Sequence, residues 1–284
     1  MNPSKVWFVT GASQGLGLQL VKKLLDSGYR VAATSRHAQT LRTAVGLIDN
    51  TRFLPLAADL DNPDCIDDLV KQTLAAFGRI DVLVNNAGYG MSSTLEETED
   101  QRIRSIIDVN LVAAINVTKR LIPVMRAQQS GYIINLGSVA GLVGAPGWSV
   151  YSATKAGLAA FSEVLALDLA EFGIRVTVIE PAGFRTGFLT EGSLAVTESK
   201  IPGYDAVRKT QERYLAMNGR QAGDPEKAAA IMIALAERPD PPLRLFLGAD
   251  AYNRASKKLG EMTAELEKWK ATTISADFPA EVKA

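Results

Sequence analysis

Segments of strand character alternate with segments of helical period along most of the chain, and that alternation leaves few folds open. Residues 6–10 are a short apolar, β-branched run; glycines follow, and Leu18, Val21, Leu24 and Leu25 then recur at helical spacing. Gly28 stands where such a helix should end, and residues 30–34 read as the next strand. The same pattern predicts strands at 53–57, 81–85, 131–136, 175–180 and 243–247, separated by helices at 64–77, 101–127, 151–172 and 225–236. Thr98 with Gln101 three residues on has capping-box spacing ahead of the long 101–127 helix. Asp224-Pro225 reads as an N-cap followed by proline in the first helical position. The strands are nearly continuous apolar runs, so both faces of their sheet must be covered, as in a parallel sheet with helices on either side. The predicted fold is α/β, a doubly wound parallel sheet (Rossmann-like) in three α/β/α layers, forming one domain over residues 1–250.

Two segments break the alternation. Residues 184–223 are rich in Gly, Thr, Ser and charge and follow a strand's carboxyl end, the place where long insertions form lids over binding sites. Residues 251–284 form an extension in which Leu259, Met262, Leu266 and Trp269 recur at helical spacing among lysines and glutamates. We expect an amphipathic helix there, packed on the domain or on a partner subunit; the mixed charges disfavour a membrane-surface helix.

Charge and composition exclude several classes. The 31 basic residues cancel the 31 acidic ones, so no net field draws the chain to nucleic acid or to an anionic membrane. Cys65 is the single cysteine, which precludes an intramolecular disulfide and a thiolate metal cluster, and the lone His37 precludes a multi-histidine metal site. No metal is expected. Residues 1–5 lead directly into the first strand without the basic head and apolar run of a signal peptide, and no stretch has the apolar length of a membrane span. A cytoplasmic protein is expected.

The first strand–helix junction reads Thr10-Gly11-Ala12-Ser13-Gln14-Gly15-Leu16-Gly17. Glycines there let the backbone turn sharply and approach a pyrophosphate, while the helix N-terminus offers free N–H groups and a positive dipole end. The second strand ends in Thr34-Ser35-Arg36, with no acidic residue to bind the adenosine ribose hydroxyls of NAD. A hydroxyl and an arginine, Ser35 and Arg36, instead suit the 2′-phosphate of NADP. After the third strand stand Asp59 and Leu60; Asp59 could accept from the adenine amine or simply cap the following turn.

Further features fall at the carboxyl edge, where ligands bind in such sheets. Asn85-Asn86-Ala87-Gly88 ends the fourth strand and Ser138 follows the fifth; Tyr151 and Lys155 are four apart, hence on one helix face, and Asn110 interrupts the long helix. Together these residues resemble the short-chain dehydrogenase/reductase family, in its single-domain branch with a Thr-Gly-x-x-x-Gly-x-Gly loop. The resemblance spans about residues 4–250 and includes Tyr151-Ser152-Ala153-Thr154-Lys155 and Pro181-Ala182-Gly183. In the Pro181-Ala182-Gly183 motif the glycine stands one place later than in the family's usual Pro-Gly pair.

The resemblance implies an enzyme that interconverts a carbonyl and an alcohol with NADP(H). Its catalytic residues would be Asn110, Ser138, Tyr151 and Lys155. Its cofactor contacts would come from Gly11, Ser13, Gln14, Gly15, Leu16, Gly17, Ser35, Arg36, Asp59, Leu60, Asn86, Ala87, Gly88, Tyr151, Lys155, Pro181, Gly183 and Thr186. An ordinary phenol titrates near pH ~10, so the expectation is that an ammonium and a positive nicotinamide lower Tyr151 toward neutrality. Ser138 would position the substrate oxygen, and Asn110 would anchor a water that relays protons to Lys155. Leu142, Val143, Trp148, Phe184, Phe188 and Leu189 predict an apolar pocket for a hydrophobic ketone or aldehyde. Pairing of the two long helices would give a homodimer or homotetramer. Two rival readings are a catalytically inactive NADP-sensing regulator, which would usually lack the Tyr or the Lys, and a nucleotide-sugar epimerase or dehydratase, which would need a larger C-terminal domain.

Overall fold

The computed structural model describes residues 4–46, 51–60, 62, 64–197 and 201–278. The first half of the chain runs through β1 (Val6–Val9), α1 (Gly15–Asp26), β2 (Arg30–Ser35), α2 (Ala38–Val45), β3 (Phe53–Ala57), α3 (Asp64–Phe77) and β4 (Val82–Asn85). It continues through β5 (Gly90–Ser92), α4 (Asp100–Ile107), α5 (Ala113–Ala127), β6 (Gly131–Leu136) and α6 (Ser149–Leu169). Then come β7 (Ile174–Pro181), β8 (Leu194–Val196), α7 (Asp205–Ala216), α8 (Pro225–Glu237), β9 (Arg244–Leu247) and α9 (Ala249–Ile274).

Seven of these strands form one parallel sheet in the order β3-β2-β1-β4-β6-β7-β9. Side chains alternate across it. Trp7, Val9, Val31 and Ile134 pack with Leu20 and Leu24 of α1 and Met232 of α8. Phe8, Ala32, Leu83 and Ile133 pack on the opposite face with Ile66 of α3, Leu121 of α5 and Leu169 of α6. Both faces are therefore dry, as the apolar strands require, and the fold is the doubly wound Rossmann-like α/β arrangement. Each fully buried Leu or Ile in these layers contributes about 1.5–3 kcal/mol. Because all the strands run one way, their carboxyl ends share an edge, and the chain order reverses between β1 and β4, the place where a crevice opens.

A chain of buried polar groups crosses the second layer. Asn85 Nδ2 donates to Thr118 Oγ1 (2.9 Å) and to Asn135 Oδ1 (2.8 Å), and Asn135 Nδ2 donates to Ser162 Oγ (2.8 Å). Strands β4 and β6 are thus tied to α5 and α6, and α6 is the helix that carries Tyr151 and Lys155.

The segment predicted as one helix over 101–127 is instead two α-helices, α4 and α5, joined by a π-helical turn at Asp108–Val112. One extra residue in the turn rotates Asn110 inward, and it is buried. Thr98 does not cap this helix. Its hydroxyl donates to Thr94 O (2.6 Å), Glu99 occupies the N-cap position, and Thr94 Oγ1 instead accepts from Glu97 N (3.1 Å) and donates to Glu97 Oε2 (2.7 Å). Asp224 caps α8 as expected, accepting from Glu226 N (2.9 Å) and Lys227 N (3.3 Å).

The expected lid holds regular structure. Strand β8 pairs in parallel with β5, and α7 is held by Arg208 against the buried Glu97 carboxylate (2.5 Å) and by Gln211 Nε2 donating to Ser92 O (3.0 Å). Residues 198–200 of that segment, and 279–284 of the C-terminal extension, lie outside the described residues.

The Asn85–Asn135–Ser162 chain generates a stability test. Asn135→Leu removes one hydrogen bond from each of Asn85 and Ser162, which keep Thr118 and Leu158 O, and should lower the unfolding free energy by about 1–3 kcal/mol. Urea denaturation measures this, and an unchanged midpoint would show that the network carries no stability.

Candidate active site

The site begins where β1 ends. Thr10 Oγ1 accepts from Asn86 N (3.0 Å) and Ala87 N (3.1 Å), while Asn86 Nδ2 donates to Thr10 O (3.0 Å) and Gly11 O (2.8 Å). The two turns lie so close that a Cβ on Gly11, whose φ is +64°, would meet Ala87 Cα at 2.6 Å. A Cβ on Gly17 would meet Asn86 Nδ2 at 2.4 Å. Gly15 differs, since it needs its φ of +62° but only Thr186 Cβ comes near, at 3.9 Å. Gln14, the N-cap residue of α1, makes no side-chain cap; its Nε2 donates to Ser193 Oγ of the lid (2.7 Å). The first-turn amides and positive end of α1 are therefore free of any side-chain cap, and Gly15 and Leu16 line the cleft there. These residues fit a pyrophosphate.

The cleft has a volume of about 1000 Å³ and follows the carboxyl edge of the sheet. At one end stand Thr34, Ser35, Arg36, Asp59 and Leu60. Ser35 Oγ donates to His37 O (2.7 Å), shaping the turn, and Arg36 is exposed at its rim. Thr34 Oγ1 is buried with no partner among the described residues. Ser13, Gln14, Ala87 and Gly88 line the middle, with Pro181, Gly183 and Thr186 from the chain after β7. Gly17 and Asn110 are not on its wall: Gly17 packs behind the loop, and Asn110 holds the backbone of Tyr89. The Asn110 amide accepts from Tyr89 N and donates to Tyr89 O, both at 2.9 Å, so its side chain has no direct bond to Lys155.

Tyr151, Ser138 and Lys155 meet at the other end. Helix α6 begins at Ser149, so Tyr151 and Lys155 lie one turn apart in its first two turns, each 5% exposed. Lys155 Nζ donates to Leu136 O (2.7 Å) and lies 5.8 Å from the centre of the Tyr151 ring. Ser138 Oγ caps a short 3₁₀ turn by accepting from Ala140 N (3.1 Å), which fixes it beside Tyr151. Burial pushes the Tyr151 phenol up to about 12; a hydrogen bond with Ser138 opposes this and Tyr214 adds to it. Burial also pulls the Lys155 ammonium down to about 8. The expected depression of Tyr151 is thus not produced by the chain's own residues, because desolvation outweighs the hydrogen bond with Ser138.

An aromatic wall surrounds the phenol. Trp148 meets Tyr151 edge-on (5.3 Å between centroids) and Tyr214 at a tilt (4.9 Å), and Phe188 lies 6.1 Å from Tyr151. Val143, Phe184 and Leu189 line the cleft as expected, but Leu142 does not. Sequence reasoning missed Tyr214, Gln221 and Arg254, which also line it. Tyr214 belongs to a helix inside a segment read as loop, and Gln221 is a lone amide in a turn. Gln221 is 1% exposed with neither side-chain polar atom bonded among the described residues. Arg254 enters from α9, donating to Val143 O (3.1 Å).

Comparisons with known proteins agree with this geometry. The short chain dehydrogenase family model matches residues 5–195. The chain is 35% identical to oxidoreductase BOA17 of Botryotinia fuckeliana (strain B05.10) over 96% of its own length and 99% of the relative's. A crystal structure of a short-chain dehydrogenase from Streptomyces avermitilis superposes with a TM-score of 0.88 at 35% identity, covering 96% of this chain and 100% of that one. A metagenomic short-chain oxidoreductase in complex with NADP superposes with a TM-score of 0.66 at 27% identity, covering 85% and 96%. A seven-stranded parallel sheet, a glycine loop locked onto Asn86, and Tyr151 with Lys155 on one helix face accompany these matches: the chain belongs to the short-chain dehydrogenase family.

Proposed function

We propose that the protein is an NADP(H)-dependent oxidoreductase that interconverts a hydrophobic ketone or aldehyde and its alcohol, with Tyr151 as general acid and base. The observation that carries this reading is one cleft with a phosphate cradle and Arg36 at one end and Tyr151, Ser138 and Lys155 at the other. When bound, the nicotinamide supplies or accepts the hydride.

The chain's residues have distinct tasks. Ser138 and Tyr151 together receive the substrate oxygen, Ser138 by hydrogen bonding and Tyr151 by passing the proton. A phenol held near 12 is protonated at neutral pH, which is the form reduction requires. In the oxidative direction Tyr151 must lose that proton, and the positive charge that favours the loss comes from outside the chain. Lys155, on the same helix face, carries the proton path onward and holds the nicotinamide ribose. Trp148, Phe188 and Tyr214 exclude water and select an apolar substrate. Arg36, with no carboxylate in positions 34–36, favours a 2′-phosphate, and the related oxidoreductase solved with NADP is consistent with that preference.

Three outcomes are expected. NADPH should be preferred over NADH in steady-state reduction of a ketone panel, and Arg36→Glu should cut the ratio of kcat/KM values by roughly ten- to a hundred-fold. Equal use of the two nucleotides by the wild type would rule out the Arg36 argument. Tyr151→Phe should bind NADPH with unchanged affinity in a fluorescence titration, yet lose turnover by about 10²–10⁴; near-normal turnover would remove Tyr151 from the chemistry. Lys155→Met should abolish turnover but stabilise the nucleotide-free protein. A lysine depressed from 10.5 to about 8 costs on the order of 3 kcal/mol at neutral pH. The unfolded chain holds that proton more tightly, so wild-type stability rises between pH 8 and 10.5 and the gain from Lys155→Met shrinks across that window. Denaturant unfolding at neutral pH and at about pH 10 measures both.

A further inference from the structure

Helix α9 runs from Ala249 to Ile274, but only its base rests on the domain. Ala251 and Ala255 are buried and Arg254 is tied to Val143 O, while beyond Ala255 nearly every described residue is exposed. Contact with the chain's own domain is confined to the first turns. The overhang is about as long as an isolated helix must be to persist at all in water. It also carries an uncovered apolar stripe: Leu259 (49% exposed), Met262 (47%), Leu266 (63%) and Trp269 (52%), with Tyr252 below and Ile274 above.

The stripe has a defined period. Leu259, Met262, Leu266 and Trp269 are spaced three, four and three apart, the alternation that keeps a seam facing a second helix in a coiled coil. Charges beside the seam point the same way. Lys257 pairs with Glu261 and Lys270 with Glu267 within the helix, whereas Lys258 and Glu265, which flank the stripe, have no ion pair among the described residues. Laid parallel and in register against an identical helix, Glu265, just before Leu266, faces Lys270, just after Trp269, of the other copy. The four seam side chains, about half exposed, amount to roughly 450 Å² per helix, so two copies bring together about 900 Å², the size of a small, reversible contact.

We infer that the overhang of α9 is a self-association surface, pairing with the same helix of a second copy of this chain. A two-fold contact of this kind is closed, because each copy offers the same stripe once.

The test is the mass of the full chain in solution, by light scattering at micromolar concentration. The wild type should be an assembly, and Leu266→Lys with Trp269→Lys should reduce its mass by about two-fold while circular dichroism shows the fold retained. A second measurement is covalent: Met262→Cys should give an intermolecular disulfide under mild oxidation, and the wild type, with Cys65 alone, should not. A monomeric wild type, a mass unchanged by the double substitution, or a wild type that instead sediments with phosphatidylglycerol vesicles would overturn the inference.

Discussion

The contact between the turn after β1 and the turn after β4 governs the rest of the site. Gly11 lies against Ala87 with no room for a side chain, and Asn86 secures the approach by bonding the carbonyls of Thr10 and Gly11. That contact sets the angle at which α1 leaves the sheet, and so where its uncapped amides sit. It also fixes Ala87 and Gly88 as the cleft floor, with Gly88 packed beside Asn110 and the Lys155 ammonium. The same few residues thus connect the glycine-loop end of the cleft to the end that holds Tyr151 and Lys155. Two glycines serve a steric purpose here that the phosphate argument alone does not require.

Most of this was legible because strand and helix signals are local. The apolar run 131–136, the strand 53–57 and the helix 64–77 stand where periodicity places them. Spacing also brings the Tyr151 and Lys155 pair onto one face, since four residues are one helical turn. What sequence reasoning lost depended on tertiary context. The π turn at Asp108–Val112 lies inside a segment of unbroken helical composition, and only the bonds between Asn110 and the Tyr89 backbone reveal why an extra residue is accommodated there. Thr98 matched a capping box, but Thr94, four residues earlier, captured its hydroxyl. Strands β5 and β8 are three residues each and exist through pairing across about a hundred positions, which no local pattern records.

Electrostatics separated expectation from outcome more sharply than geometry did. A lysine beside a tyrosine suggests an acidified phenol, and in water the two charges would act that way. In the buried pocket desolvation is the largest influence on each group, so Tyr151 moves up and Lys155 moves down. The resting arrangement is therefore a neutral phenol near a weakly held ammonium. Under the proposed function, the positive charge that would favour loss of the phenol proton comes with the ligand.

The 184–223 segment has a similar dependence on its surroundings. Strand β8 is paired to β5, Arg208 to Glu97, Gln211 to the carbonyl of Ser92 and Ser193 to Gln14 of the glycine loop. Three of these four anchors fall within residues 90–97, a stretch that leads straight into α4 and the turn holding Asn110. Anyone grafting the corresponding segment of a relative onto this chain would have to transplant residues 90–97 as its mating half. Exchanged alone, a new segment would meet a landing strip cut for another.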